Sequence, residues 1–141
     1  MFTFLIGSLL IVHGLIVAAQ SFGSFGTGSP VSNPSWLSWW PTALGQSWML
    51  AALGLEQTVA QWLAGLFWLI GGALLIAAGL GVFGVVVPRE WWRTLAVWGG
   101  AVSLAMLLLY IHPFYAIGTG SSLAILIALL WAHWPPLDRI A

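Results

Sequence analysis

The sequence predicts an all-α polytopic membrane protein: an antiparallel bundle of four transmembrane helices with a Trp-rich outer loop and a short interfacial helix. Three observations predict it. The chain of 141 residues is 61% hydrophobic and only 4% charged, with a mean hydropathy of +1.03, where a soluble domain carries roughly 25% charged residues. Four stretches approach the ruler of about 20 apolar residues needed to cross roughly 30 Å of hydrocarbon. The three basic residues, Arg89, Arg93 and Arg139, all fall on one side of the chain when it is threaded through those four spans.

The whole chain, residues 1–141, reads as one integral membrane domain. Its first span covers about Phe2 to Ser21. Small residues near its end (Ala18, Ala19, Ser21) resemble a cleavage region, but no Lys or Arg precedes the apolar run, so a retained span is expected rather than a signal peptide. An outer loop of about residues 22–58 follows. Its first half is built from Gly, Ser, Pro, Asn and Trp without a formal charge, the composition of a turn-rich loop. Trp36, Trp39, Trp40 and Trp48 are what a membrane interface selects, because an indole ring sits in the acyl boundary with its N–H wet. Pro41 suits the first turn of a short interfacial helix leading into the second span.

The second span is expected over about 62–87, closed by Pro88. The turn PREWWR then places Arg89, Glu90 and Arg93 beside Trp91 and Trp92, a charged surface turn with aromatic anchors. The third span covers about 91–111 and ends at His112-Pro113. The fourth, about 117–134, is short and stops at Pro135-Pro136. This threading puts both termini and the PREWWR turn on one face, which the positive-inside rule assigns to the cytoplasm. The expected location is the cytoplasmic membrane.

Small residues recur four apart at Gly14/Ala18, Ala77/Gly81, Gly99/Ser103, Ala101/Ala105, Gly118/Ser122 and Ala124/Ala128. Lipid supplies no hydrophobic drive between helices, so close backbone approach at such positions is what packs a bundle.

The composition excludes much chemistry. With no cysteine there is no disulfide, thiolate or Cys-ligated metal. No basic run attracts nucleic acid, so the expected partners are membrane lipids and other integral membrane subunits. Hydrolase, zinc-protease and phosphate-loop motifs are absent, and no enzyme activity is expected.

His13 is the one ionisable group well inside a span, and such residues are functional candidates by default. A single imidazole there suits a quinone carbonyl or the magnesium of a (bacterio)chlorophyll; otherwise it is a neutral ring bonded within the bundle. A haem held by two histidines is not expected, because a rise of about 1.5 Å per residue puts His13, His112 and His133 at different depths. Glu56 and His112 are expected at similar depth on the outer side, where they could form a polar pair. Trp36, Trp39, Trp40, Arg89, Trp91, Trp92 and Arg93 are the expected interface or lipid contacts.

The glycine and histidine of FLIGSLLIVHGLIVAAQ, the carboxylate of GLEQTVAQWLAGLFWLIGGALLIAAGLG and the short basic turn PREWWR give the chain a resemblance to the small four-span DoxX-like proteins. Gly7, His13, Gly14 and Glu56 match that pattern by position; the long Trp-rich loop departs from it. The resemblance implies a four-helix bundle with cytoplasmic termini. The family takes its name from a subunit associated with a membrane thiosulfate:quinone oxidoreductase, and most of its members have no assigned activity. Two functions follow as expectations: an accessory subunit of a respiratory or photosynthetic electron-transfer assembly, and a quinone- or pigment-binding protein using His13. A small transporter is a weaker third.

Overall fold

The computed structural model describes residues 1–25 and 31–135. They form α1 (Phe2–Phe25), α2 (Trp48–Ala52), α3 (Gln57–Phe83), α4 (Trp92–Leu109) and α5 (Ala116–Leu126), which runs on as a π-helical turn over Ile127–Trp131. Single 3₁₀ turns precede α4 (Arg89–Trp91) and α5 (Pro113–Tyr115). Counting those turns, four helical segments are long and apolar enough to cross a membrane: Phe2–Phe25, Gln57–Phe83, Arg89–Leu109 and Pro113–Trp131. The all-α four-helix architecture is as expected. Arg139 lies outside the described residues.

The helix ends follow from local chemistry. Helix α3 stops at Phe83, short of Pro88, because Gly84 adopts a left-handed conformation (φ 67°) and its N–H donates back into the last turn, the usual glycine C-cap. Before α5, Pro113 occupies the first helical turn and the His112 ring accepts from the Phe114 N–H, replacing a partner that a helix start lacks. Pro41 does not begin a helix. Residues 41–47 are irregular, and α2 starts only at Trp48. There Ser47 Oγ accepts from the Leu50 N–H at 3.3 Å, a hydroxyl cap that the sequence offers just before the apolar run.

The bundle is joined in chain order, α1 on α3, α3 on α4 and α4 on α5, while α1 and α5 touch only sparsely. Helices α1 and α3 meet through glycine. A Cβ built on Gly14 would stand 2.7 Å from the Gly72 carbonyl oxygen, and one on Gly79 would stand 2.6 Å from that of Gly7. Both glycine pairs are spaced by seven, two helical turns, so the antiparallel helices bring 7 opposite 79 and 14 opposite 72. Helices α3 and α4 interlock similarly, with Gly71 against Ser103 and Gly99 against Leu75. Of the small-residue pairs read from the sequence, Gly14/Ala18 and Gly99/Ser103 pack helices, whereas Ala105 and Ala124 are exposed.

Trp68, Leu75, Ala78, Val82, Trp92 and Met106 are among the buried side chains at the centre. The bundle has two distinct ends. One carries the 84–91 turn with Arg89, and Arg93 at the start of α4; the other carries the 31–56 loop and the 110–115 turn.

Candidate ligand groove

Because α1 and α5 do not close on one another, a cavity of about 800 Å³ runs between them. Its α1 wall is Ile6, Leu10, His13, Val17 and Gln20, a 4-3-4-3 spacing that defines one helical face. Its α5 wall includes Gly118, Ser121, Ala124 and Ala128. These short side chains leave the space unfilled, and in lipid no hydrophobic drive forces the two helices to collapse across it. Trp68 of α3 and Trp92 and Leu107 of α4 also line it. At the arginine end Phe2 meets Trp134 edge to face, ring centroids 5.2 Å apart, and Trp134 and Pro135 complete the wall.

His13 lines this groove and ties its walls together. Its Nε2 lies 3.0 Å from Oγ of Ser122, a fully buried residue of α5. The bond satisfies a hydroxyl that has no water to turn to. Among the described residues no hydrogen bond is found to Nδ1 of the same ring.

At the loop end a second cavity of about 310 Å³ shares Gln20, Leu44, Trp68 and Tyr115 with the first. Its walls are richer in polar groups, with Ser24, Gln61 and Tyr110 beside Gln20 and Tyr115. The Tyr115 hydroxyl donates to Gln20 Oε1 at 3.4 Å, near the long limit of a hydrogen bond.

The 31–47 loop is fastened to its own bundle. Ser47 Oγ donates to the Leu109 carbonyl at 2.9 Å and Trp48 Nε1 to that of Leu108 at 3.0 Å, both at the end of α4. His112 is buried, with Nε2 3.0 Å from Asn33 Oδ1 and Nδ1 3.3 Å from the Phe114 N–H that it accepts. Since Nδ1 accepts, the proton sits on Nε2 and is donated to Asn33. Burial pushes this imidazole below its ordinary range. Asn33 Nδ2 in turn donates to the carbonyls of Trp40 and Thr42, so one amide holds the loop on both sides.

Several expected positions fall elsewhere. Glu56 and His112 do not pair: both ring nitrogens of His112 are engaged, and Glu56 is exposed at the start of α3. Trp92, expected at lipid or a partner, is 3% exposed in the core, while its neighbour Trp91 is 57% exposed. Arg93 turns inward and donates to the Leu129 carbonyl at 3.1 Å, within the π-helical turn, whereas Arg89 is exposed. Trp36 and Trp39 are exposed; Trp40 is half-buried, its Nε1 donating to Thr42 Oγ1 and its ring edge-on to His112.

Sequence reasoning passed over Gln20 and Tyr115, and read Ser122 only as a small packing residue beside Gly118 rather than as the partner of His13. One signal was available for the first: Gln20 lies seven residues after His13, on the same face of a span otherwise almost wholly apolar. Among the described residues no cluster of three or more His, Cys, Asp or Glu side chains is placed to hold a metal ion. Compared with protein-family models, curated proteins and solved structures, the chain matches none.

Proposed function

We propose that this protein binds an elongated apolar ligand in the groove between α1 and α5. The observation that carries the reading is the groove itself. At about 800 Å³ it lies within the range of small-molecule sites, roughly 300–1,000 Å³, and its rim residues Leu9, Val12, Ile16 and Ile117 are exposed toward where lipid would lie. Such a site is loaded from the bilayer. A quinone or pigment remains the expected class where His13 takes part, through the ring nitrogen not used by Ser122.

The test is purification in mild detergent, a visible spectrum and mass spectrometry of the organic extract, on wild type and on Ala124→Trp, which places an indole in the groove. One apolar molecule per chain, lost in the variant, supports the reading. Identical lipid-like content in both proteins contradicts it.

An accessory-subunit role is the second reading, favoured by a different surface. Trp36 and Phe114 stack edge to face at 5.8 Å and, with Trp39, leave exposed aromatic rings at the loop end. Exposed apolar patches of this kind mark membrane or protein contacts. Native-membrane purification that yields a larger complex supports it, and a chain that runs alone does not. By the positive-inside rule the arginine end is cytoplasmic and the loop end faces outward.

A further inference from the structure

We infer that the groove takes an uncharged amphiphile, its headgroup held at the loop end between Gln20 and Tyr115 and its apolar chain running down the groove toward Trp134. The inference rests on the groove reading above and adds the chemical class and direction of the ligand.

Polarity is distributed unevenly along the connected cavities. Gln20, Ser24, Gln61, Tyr110 and Tyr115 converge at one end, whereas the α1 wall below them is apolar apart from His13. From Gln20 to Ile6 is 14 residues of α1, about 21 Å at 1.5 Å per residue, the scale of a long acyl or prenyl chain rather than of a compact ring. Such a chain fits without parting the helices. A transmembrane helix entering the same seam would have to displace α5 and break the bond between His13 and Ser122.

The headgroup must be neutral. Among the described residues no Asp, Glu, Lys or Arg side chain lines either cavity, and Arg93, at the start of α4, is already committed to the Leu129 carbonyl. A charge brought here would lose its water and meet no opposite charge, which is costly at membrane depth. Hydrogen bonding, by contrast, is on offer. The contact between Tyr115 and Gln20 is long at 3.4 Å, and among the described residues neither N–H of the Gln20 amide has a partner, which leaves both for a hydroxyl or carbonyl oxygen.

The experiment compares two probes with one chain. Dibromostearoyl glycerol is uncharged; dibromostearoyl lysophosphatidylglycerol carries a permanent negative charge; bromine quenches nearby indoles, here Trp68, Trp92 and Trp134 of the groove. Full-length protein in micelles is titrated with each, as wild type, as Gln20→Leu/Tyr115→Phe and as Ala124→Phe, which fills the groove without adding an indole. Wild type is expected to bind the glycerol ester about tenfold or more tightly than the charged probe, the equivalent of one hydrogen bond to a buried partner. The double variant is expected to lose that preference, and Ala124→Phe to lose saturable quenching by both. Equal affinity of the two probes for wild type overturns the headgroup assignment without needing any variant to fold. Saturable quenching that survives in Ala124→Phe overturns the groove reading beneath it.

Discussion

His13 and Ser122, 109 positions apart in the chain, meet at 3.0 Å and form the polar tie between the first and last helices of the bundle. A hydrogen bond between membrane helices averages about 0.6 kcal/mol in double-mutant cycles. A cycle of His13→Leu, Ser122→Ala and the double variant is therefore expected to show a coupling of about 0.5–1.5 kcal/mol, read from unfolding in mixed micelles. Strictly additive losses would mean that the two side chains contribute separately.

Gly72 lies against Gly14 and Ala18 of α1, where an added Cβ would come within 2.7 Å of backbone. Gly72→Leu is expected to separate α1 from α3 and cost about 3 kcal/mol or more, as severe overpacking does. Gly120 is the internal control, because nothing lies within 4 Å of its Cβ position. Gly120→Ala is expected to be neutral or stabilising by up to about 1 kcal/mol through helix propensity. Melting temperatures of the two variants in one detergent give the comparison.

Ser103 Oγ is buried, and among the described residues it has no hydrogen-bond partner. Removing a hydroxyl in that condition relieves an uncompensated desolvation, so Ser103→Ala is expected to hold or raise stability, by up to about 1 kcal/mol. Ser122→Ala, the same substitution at a bonded serine, is expected to lower it. Opposite signs in one thermal-shift assay are the outcome to look for.

The loop latch is expected to weaken in acid. Burial holds His112 below its ordinary value of 6.5, so the unfolded chain binds a proton more readily than the folded one. The contribution of the neutral ring is present in full above that value and is lost as pH falls through it toward the lower folded value. Protonation also puts a hydrogen on Nδ1, opposite the Phe114 N–H that this atom now accepts. Hydrogen exchange over residues 31–47 is expected to speed up between pH 7.5 and 5 beyond its intrinsic pH dependence. His112→Gln is expected to remove that component.

The spans were legible because length and apolarity are properties of a segment by itself. Their faces were not. Trp91 and Trp92 are adjacent and chemically identical, yet a step of about 100° around the helix sends one out and the other into the core, and in a helix apolar all round no pattern marks the difference. The end of α3 could have been read from Gly84, which precedes Pro88 and stops helices by its own conformation. His112 was read as the end of the third span; in the structure it caps the turn that opens the fourth, and its partner Asn33 lies 79 residues away, where no local rule connects them. The groove was hidden for a related reason. Small residues on α5 looked like packing positions, and only the bundle's geometry shows that no helix fills the space before them.

The open seam lies between α1 and α5, and their order in the chain sets the order in which these helices meet. Synthesis proceeds from the N-terminus, so α1 and α3 can mate through their glycines, and α4 can join them, before α5 leaves the ribosome. Helix α5 then docks chiefly on α4, and the wall it adds closes the far side of the groove. On the proposed groove reading, a ligand already in the bilayer is enclosed as α5 docks, entering as a template for that step rather than through a finished wall.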